Sequence, residues 1–281
     1  MKIIESPADM QNLAEDSRRA GKSIGLVPTM GALHEGHLSL IRRCRAESDV
    51  AVMSLFVNPA QFNRKDDLDG YPRDFEGDSR MAREAGVDII FAPTAEGMYP
   101  EGYATYVNVE RITERWEGAS RPGHFRGVAT ICTKLFTICR PHRAYFGQKD
   151  YQQSLVVRRL AADLNLGLEI VVLPTVREPD GLALSSRNVL LMPEERWQAT
   201  VLSRALFQAQ AAVRGGERDA GRVRSAIEAE IRSAQLAAVD YVGVCDPDTL
   251  EPLVRVTGKA VAVVAASFGT TRLIDNAILE P

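Results

Sequence analysis

The feature that most constrains this 281-residue chain is an alternation, through its first two thirds, of short apolar runs with stretches of helical periodicity. Runs at 24–27, 50–57, 87–92, 144–147 and 169–173 have strand length and are rich in aliphatic residues. Helical patterns over 36–47, 75–85, 128–138 and 151–163 separate them. Strands spaced by helices pair through crossovers, so the pattern predicts βαβ units and a parallel sheet. Several of the runs are apolar at every position, as strands are when helices cover both faces.

The pattern changes around 174–188, a polar segment with glycine and proline that leads into Pro193-Glu194-Glu195. Proline in a first helical turn followed by acids is a strong helix start. Helices over about 193–213 and 217–233 and strands near 239–245, 260–267 and 271–275 complete the chain. The expected fold class is therefore α/β, a Rossmann-like parallel sheet with helices on both faces, plus a smaller C-terminal α+β domain. The domains are expected at residues 1–176 and 177–281. With 45% hydrophobic and 25% charged residues, the chain has enough apolar side chains for two cores.

Charge and cysteine usage exclude several roles. A net charge of -3 without a long run of like charges gives no footprint for a phosphate backbone, so no nucleic-acid partner is expected. No apolar run approaches the ~20 residues of a membrane span, and the N-terminus lacks the pattern of an export signal. Cys44, Cys132, Cys139 and Cys245 form no CxxC pair and read as buried reduced thiols. A soluble, cytoplasmic protein is the expectation.

The first run ends in Pro28-Thr29-Met30-Gly31-Ala32-Leu33-His34-Glu35-Gly36-His37, and a helical pattern follows at once. Open parallel sheets bind ligands at this carboxyl edge. The glycines permit close backbone approach, the helix N-terminus offers unpaired N–H groups, and two imidazoles add donors. That combination suits a triphosphate without a Walker lysine. Metal ligation is a second reading, although the zincin pattern sets histidines four apart and these stand three apart around Gly36. Two core histidines are a third.

Asn58-Pro59-Ala60-Gln61-Phe62 follows the second run, and the amide of Gln61 can both donate to a carboxylate and accept from a hydroxyl. Gly147-Gln148-Lys149-Asp150 ends the run at 144–147. Only six of the 34 basic residues are lysine, so Lys149 at a sheet edge suggests a compact point charge for phosphate, with a solvated surface lysine as the alternative. Ser185-Ser186-Arg187-Asn188 falls in the polar segment, as a closing loop or a linker. His124 reads as a cap or loop histidine.

The HxGH string between a strand and a helix resembles the nucleotidyltransferase superfamily. The longer blocks narrow this. PTMGALHEGH, NPAQF, YPRD, MYP, GHFRGV, FGQKDYQQ and SSRN, spread in that order over residues 28–188, resemble the pantothenate synthetase (pantoate–β-alanine ligase) family. The resemblance implies an enzyme that uses ATP, with Mg²⁺, to join (R)-pantoate to β-alanine through a pantoyl-adenylate, releasing AMP and diphosphate. It also implies a homodimer.

Residue by residue, it implies that Met30, Gly31, Ala32, Leu33, His34, Glu35, Gly36 and His37 line the ATP site. Gly147, Gln148, Lys149 and Asp150 form a second wall. Val176 meets adenine through its backbone, and Leu184, Ser185, Ser186 and Arg187 grip the triphosphate. His34, His37, Lys149 and Arg187 are the implied catalytic set, with His37 as proton donor or as phosphate ligand alone. Gln61 would contact pantoate and β-alanine, and Gln153 pantoate. Many relatives carry Glu at the position of Gln148, so no charge-based role falls on that side chain. No metal ligands are assigned. The readings set against these are another nucleotidyltransferase with a phosphorylated acceptor, and a silent nucleotide-binding scaffold.

Overall fold

The apolar runs form the strands of one parallel sheet. The computed structural model describes the backbone of residues 1–281 and every side chain except that of Asp66. The chain divides into two units, Met1–Gly147 with Gln153–Pro174, and Gln148–Gln152 with Thr175–Pro281.

In the first unit, β1 (Lys2–Ile4), α1 (Pro7–Arg19), β2 (Ile24–Thr29), α2 (Glu35–Glu47) and β3 (Val50–Leu55) follow one another. The short helices α3 (Lys65–Asp69) and α5 (Ala95–Met98) flank α4 (Phe75–Glu84) and β4 (Ile89–Phe91). After them come α6 (Glu117–Ser120), α7 (His124–Cys139), β5 (Arg143–Gly147), α8 (Tyr151–Asp163) and β6 (Glu169–Leu173). The six strands lie in the order β1-β4-β3-β2-β5-β6, with parallel pairing throughout.

Side-chain alternation sorts the sheet into two faces. Leu26, Val52 and Phe91 pack with Met10 and Ala14 of α1, with α7, and with Val156, Val157 and Leu160 of α8. Their sheet neighbours Val27, Met53 and Ile90 pack on the other face with Leu40, Ile41 and Cys44 of α2 and Ala82 of α4. The result is three layers, as apolar-throughout strands require. Each fully buried aliphatic side chain contributes about 1.5–3 kcal/mol. All four cysteines are buried, and burial pushes the Cys44 and Cys132 thiols up to about 12.

β1 and α1 are additions to the expected elements. β1 is three residues long at the sheet edge, and α1 buries only Met10 and Ala14, so neither carries a strong apolar period. α1 is set instead by its cap, with Ser6 accepting from the Asp9 N–H and Pro7 in the first turn.

The second unit holds α9 (Pro193–Gln198), α10 (Val201–Arg214), α11 (Ala220–Arg232) and the antiparallel strands β7 (Ala237–Cys245), β8 (Ala260–Phe268) and β9 (Thr271–Leu279), ordered β7-β8-β9. Val264 and Ala266 of β8 and Leu273 and Ala277 of β9 pack against Leu206 and Val213 of α10 and Ile227 and Ile231 of α11.

Several boundaries differ from those read in the sequence, among them that of α7, which opens at His124 and not at 128. The helix expected over 193–213 is two, because the Thr200 hydroxyl bonds back to the Trp197 carbonyl and the Leu202 N–H reaches only to Ala199. The next helix starts at Ala220, not 217, because Asp219 caps it by accepting from the Arg222 N–H. β9 runs to Leu279, past the expected end at 275, carrying a buried Asp275-Asn276 pair through its middle. The chain divides after Pro174, and Gln148–Gln152 sorts with the second unit because Asn276 binds the carbonyls of Gln148 and Lys149 and the Tyr151 hydroxyl donates to the Pro247 carbonyl.

Candidate active site

The strand order creates a switch point. From β2 the chain moves through β3 to β4 on one side, and β5 then pairs with the opposite side of β2. Segments leaving adjacent strands in opposite directions open a crevice at their carboxyl ends, where ligands of open α/β sheets bind. The Met30–His37 stretch follows β2, Asn58–Gln61 follows β3, and Gln148–Gln153 follows β5.

The loop after β2 is held by a buried carboxylate. Gly31 has φ 90° and Ala32 has φ 51°. The left-handed region costs a side-chain-bearing residue about 1–2 kcal/mol, so Ala32 needs an external hold. Asp78, 2% exposed, supplies it by accepting the Ala32 N–H at 2.9 Å and the Leu33 N–H at 2.7 Å. A Cβ on Gly31 would sit 2.8 Å from the same carboxylate, which requires glycine there. Asp78 lies in the first turn of α4, whose cap Asp74 accepts the Gly77 N–H. Burial raises the Asp78 pKa, against the lowering effect of the two N–H donors, and the nearby Asp74 adds to the rise.

His34 is the N-cap of α2. Its Nδ1 accepts the Gly36 N–H at 3.2 Å, while Nδ1 of His37 accepts the His34 N–H at 3.3 Å, a reciprocal capping box built from imidazoles. The rings lie 4.1 Å apart between centroids. In each ring Nδ1 is an acceptor, so the hydrogen-bond pattern assigns the proton of the neutral ring to Nε2 and makes that atom a donor. Together with the helix N-terminus, this pair offers donors to an anion and satisfies the cap at the same time. Glu35 is exposed and pairs with Arg42.

A single 3₁₀ turn after β3 positions Gln61. Asn58, 1% exposed, donates to the Gln61 Oε1 at 3.0 Å and to the Gly127 carbonyl at 3.2 Å. Its Oδ1 accepts the Tyr99 hydroxyl at 2.7 Å. The Gln61 Nε2 then faces the Met30 sulfur at 3.1 Å, a weak acceptor, so this donor is poorly satisfied and available to a better one. The turn lies hard against α7. A Cβ on Gly127 would come within 2.2 Å of the Ala60 carbonyl oxygen, so only glycine permits the approach. His124, 6% exposed, is the first residue of α7, and its Nδ1 lies 2.9 Å from the Gln61 carbonyl oxygen. Gln153 stands half-buried in the first turn of α8.

In the second unit, Gln148–Asp150 form a 3₁₀ turn with Lys149 half-buried and Asp150 exposed. Asn276 donates to the Gln148 and Lys149 carbonyls. Val176 and Leu184 are brought together, with the Leu184 N–H donating to the Val176 carbonyl at 3.0 Å. Glu178 and Leu182 pair within the same small hairpin, and Arg177, next to Val176, forms a bidentate pair with Asp275. Ser185 accepts the Arg187 N–H at 3.2 Å and turns the chain through Ser186 and the half-buried Arg187.

Sequence reasoning left out Asp78, Asn276 and the contact of His124 with Gln61. His124 carried a signal, since it opens the helix that follows a glycine. Asp78 and Asn276 carried none, as their partners lie 46 and 128 residues away. Among the described residues no three His, Cys, Asp or Glu side chains converge as a metal site, and no helix is long and apolar enough to cross a membrane.

A family model described as pantoate-beta-alanine ligase matches residues 2–278. The pantothenate synthetase of Acetivibrio thermocellus is 53% identical over 280 residues, covering 100% of both chains. The crystal structure of pantothenate synthetase from Thermus thermophilus superposes with a TM-score of 0.94 at 47% identity, again covering 100% of each chain. The pantoate-beta-alanine ligase of Francisella tularensis, solved in complex with β-γ ATP and β-alanine, superposes at 0.82 with 33% identity, covering 99% of this chain and 97% of that one. The chain belongs to the pantoate–β-alanine ligase family.

Proposed function

We propose that this enzyme condenses (R)-pantoate with β-alanine at the expense of ATP, through a pantoyl-adenylate. The observation that carries the reading is the histidine capping box at the switch point of the sheet, where two imidazoles and a helix N-terminus stand together, a combination that suits a polyphosphate. In the first step a pantoate carboxylate oxygen attacks the α-phosphorus, the bond to the bridging oxygen breaks, and diphosphate leaves. In the second, the β-alanine nitrogen attacks the acyl carbon, the acyl–oxygen bond breaks, AMP leaves and the amine proton is released.

Neither step needs a nucleophilic side chain, so the chain acts by positioning and electrostatics. Backbone of Met30, Gly31, Ala32, Leu33, Glu35 and Gly36 lines the nucleotide site, and His34 and His37 donate to phosphate oxygens, His37 also serving as proton donor. Lys149 and Arg187 stabilise the charge that moves onto diphosphate, supported by Gly147, Gln148, Leu184, Ser185 and Ser186, with the Val176 backbone on adenine. Gln61, whose Nε2 faces a thioether, binds pantoate and then β-alanine, and Gln153 binds pantoate.

Mg²⁺ carried by ATP would neutralise the β- and γ-oxygens. The exposed Asp150 carboxylate is a donor that suits a hard cation keeping most of its ligands from phosphate and water. The same reading makes the protein a cytoplasmic homodimer, for which sedimentation should return twice the 30.9 kDa of the chain.

The test is AMP release by purified protein with ATP, Mg²⁺, pantoate and β-alanine. Rapid AMP formation that needs both organic substrates is expected. A rate equal to that of controls lacking either one would sink the proposal.

A further inference from the structure

β9 carries two adjacent polar residues, Asp275 and Asn276, each 3% exposed, in the interior of a strand. Leu273 and Ala277 face α10 and α11, so alternation places Asn276 on the opposite face of the sheet, where it pairs across from Val263. Burying a primary amide is costly unless its hydrogen-bonding capacity is used. Here it is used on one segment. The Asn276 Nδ2 donates to the Gln148 carbonyl and to the Lys149 carbonyl, both at 2.9 Å, and its Oδ1 accepts from the Gln148 Nε2 at 3.3 Å. Both N–H groups of the amide are thereby spent on the backbone of the turn that carries Lys149.

The preceding residue fixes the clamp. Asp275 receives Arg177 through two bonds of 2.6 and 2.9 Å, and Arg177 also donates to the Gly181 carbonyl at 3.1 Å. The dipeptide thus ties the 148–149 turn and the hairpin that begins at Val176 to a single strand.

We infer that Asn276 is a positioning residue for Lys149. It fixes the backbone from which the ammonium extends, and it engages two carbonyl oxygens that would otherwise present negative dipoles beside an anion. This inference rests on the reading of Lys149 as a phosphate ligand. Displacement of a charge by about 1 Å costs on the order of 100-fold in rate, so the effect should appear in turnover.

The experiment is a double-mutant cycle in single-turnover AMP formation with wild type, Asn276→Ala, Lys149→Ala and the double variant, each checked for folding by thermal melting. Asn276→Ala should lower the rate about 10- to 100-fold. In the Lys149→Ala background the same substitution should cost about twofold or less, since no ammonium is left to position. Asn276→Ser, which keeps one donor, should recover part of the rate, and it replaces Asn276→Ala in the cycle if that variant fails to fold. Losses that multiply in the double variant would make Asn276 a merely structural tie and overturn the inference, as would an Asn276 variant with wild-type rate while Lys149→Ala is impaired. A Lys149→Ala enzyme at wild-type rate would remove the underlying role of Lys149 and the inference with it.

Discussion

The Met30–Leu33 loop and the Gln148–Asp150 turn both leave a parallel strand at its carboxyl end and both depend on one buried side chain, but the two clamps have opposite chemistry. Asp78 accepts two backbone N–H groups of the loop, whereas Asn276 donates to two carbonyls of the turn. The first clamp uses up two donors of the loop and brings in a negative charge. The second uses up acceptors and adds no charge, leaving the Lys149 ammonium beside backbone whose carbonyls are already engaged. At the loop the charge of the acid is directed into two backbone N–H dipoles. Where no donors can be spared, a neutral amide does the holding.

The largest effect expected from this contrast is that of Asp78→Ala. The substitution leaves the Ala32 and Leu33 N–H groups without their partner, at about 1–3 kcal/mol for each buried donor, and frees Ala32 from its left-handed conformation. Turnover should fall on the order of 100-fold as the histidines lose their fixed base, and the denaturant midpoint should drop in the same protein. Stopped-flow AMP formation and urea unfolding would check both. A smaller loss of turnover than for Asn276→Ala would invert the ranking and show that the loop holds its shape without the carboxylate.

An intermediate effect separates the clamps by pH, because only one of them titrates. Burial raises the Asp78 pKa, so the folded protein holds that proton more tightly than the unfolded chain does. Stability linked to Asp78 is therefore present below the ordinary aspartate range and is lost as pH rises through the raised folded value. Asp180 behaves oppositely, its pKa lowered chiefly by the hydrogen bond from Arg196, so its contribution is lost on acidification. The stability advantage of wild type over Asp78→Asn should thus shrink as pH rises from about 4 to about 7, while Asn276→Ser should show no such trend against wild type. Unfolding midpoints across that range provide the measurement. A widening advantage for wild type would mean that the two N–H bonds outweigh burial.

The same contrast explains what the sequence revealed. The parallel sheet was legible because strands buried on both faces are apolar at every position, as in β2 and β3. The helix start at HEGH was legible because its glycines and histidines are adjacent in sequence and cap α2 where they stand. The clamps were not, since an aspartate in DFEGD or an asparagine in LIDN looks like any polar surface residue until the fold brings its partner close. The strand expected at 271–275 stops inside Asp275-Asn276, a pair of residue types common in turns, whereas β9 continues to Leu279. A polar pair interrupting an apolar strand was the one trace it left.

The smallest expected effect belongs to Gln148→Glu and tests whether Asn276 reads backbone or side chain. Glutamate cannot donate to the Asn276 Oδ1, so the variant loses the 3.3 Å bond, the longest of the three in the clamp, and keeps both 2.9 Å bonds to the carbonyls. A single partly buried hydrogen bond is worth about 0.5–1.5 kcal/mol, and the new carboxylate stands on a half-buried residue where solvent screens it. Turnover should therefore fall about tenfold at most, with the KM for ATP rising as the added charge meets phosphate, and less than for Lys149→Ala. If Gln148→Glu and Lys149→Ala cost the same, the Gln148 amide is itself a ligand of the nucleotide, and the turn is held through side-chain contacts that the two carbonyl bonds merely accompany.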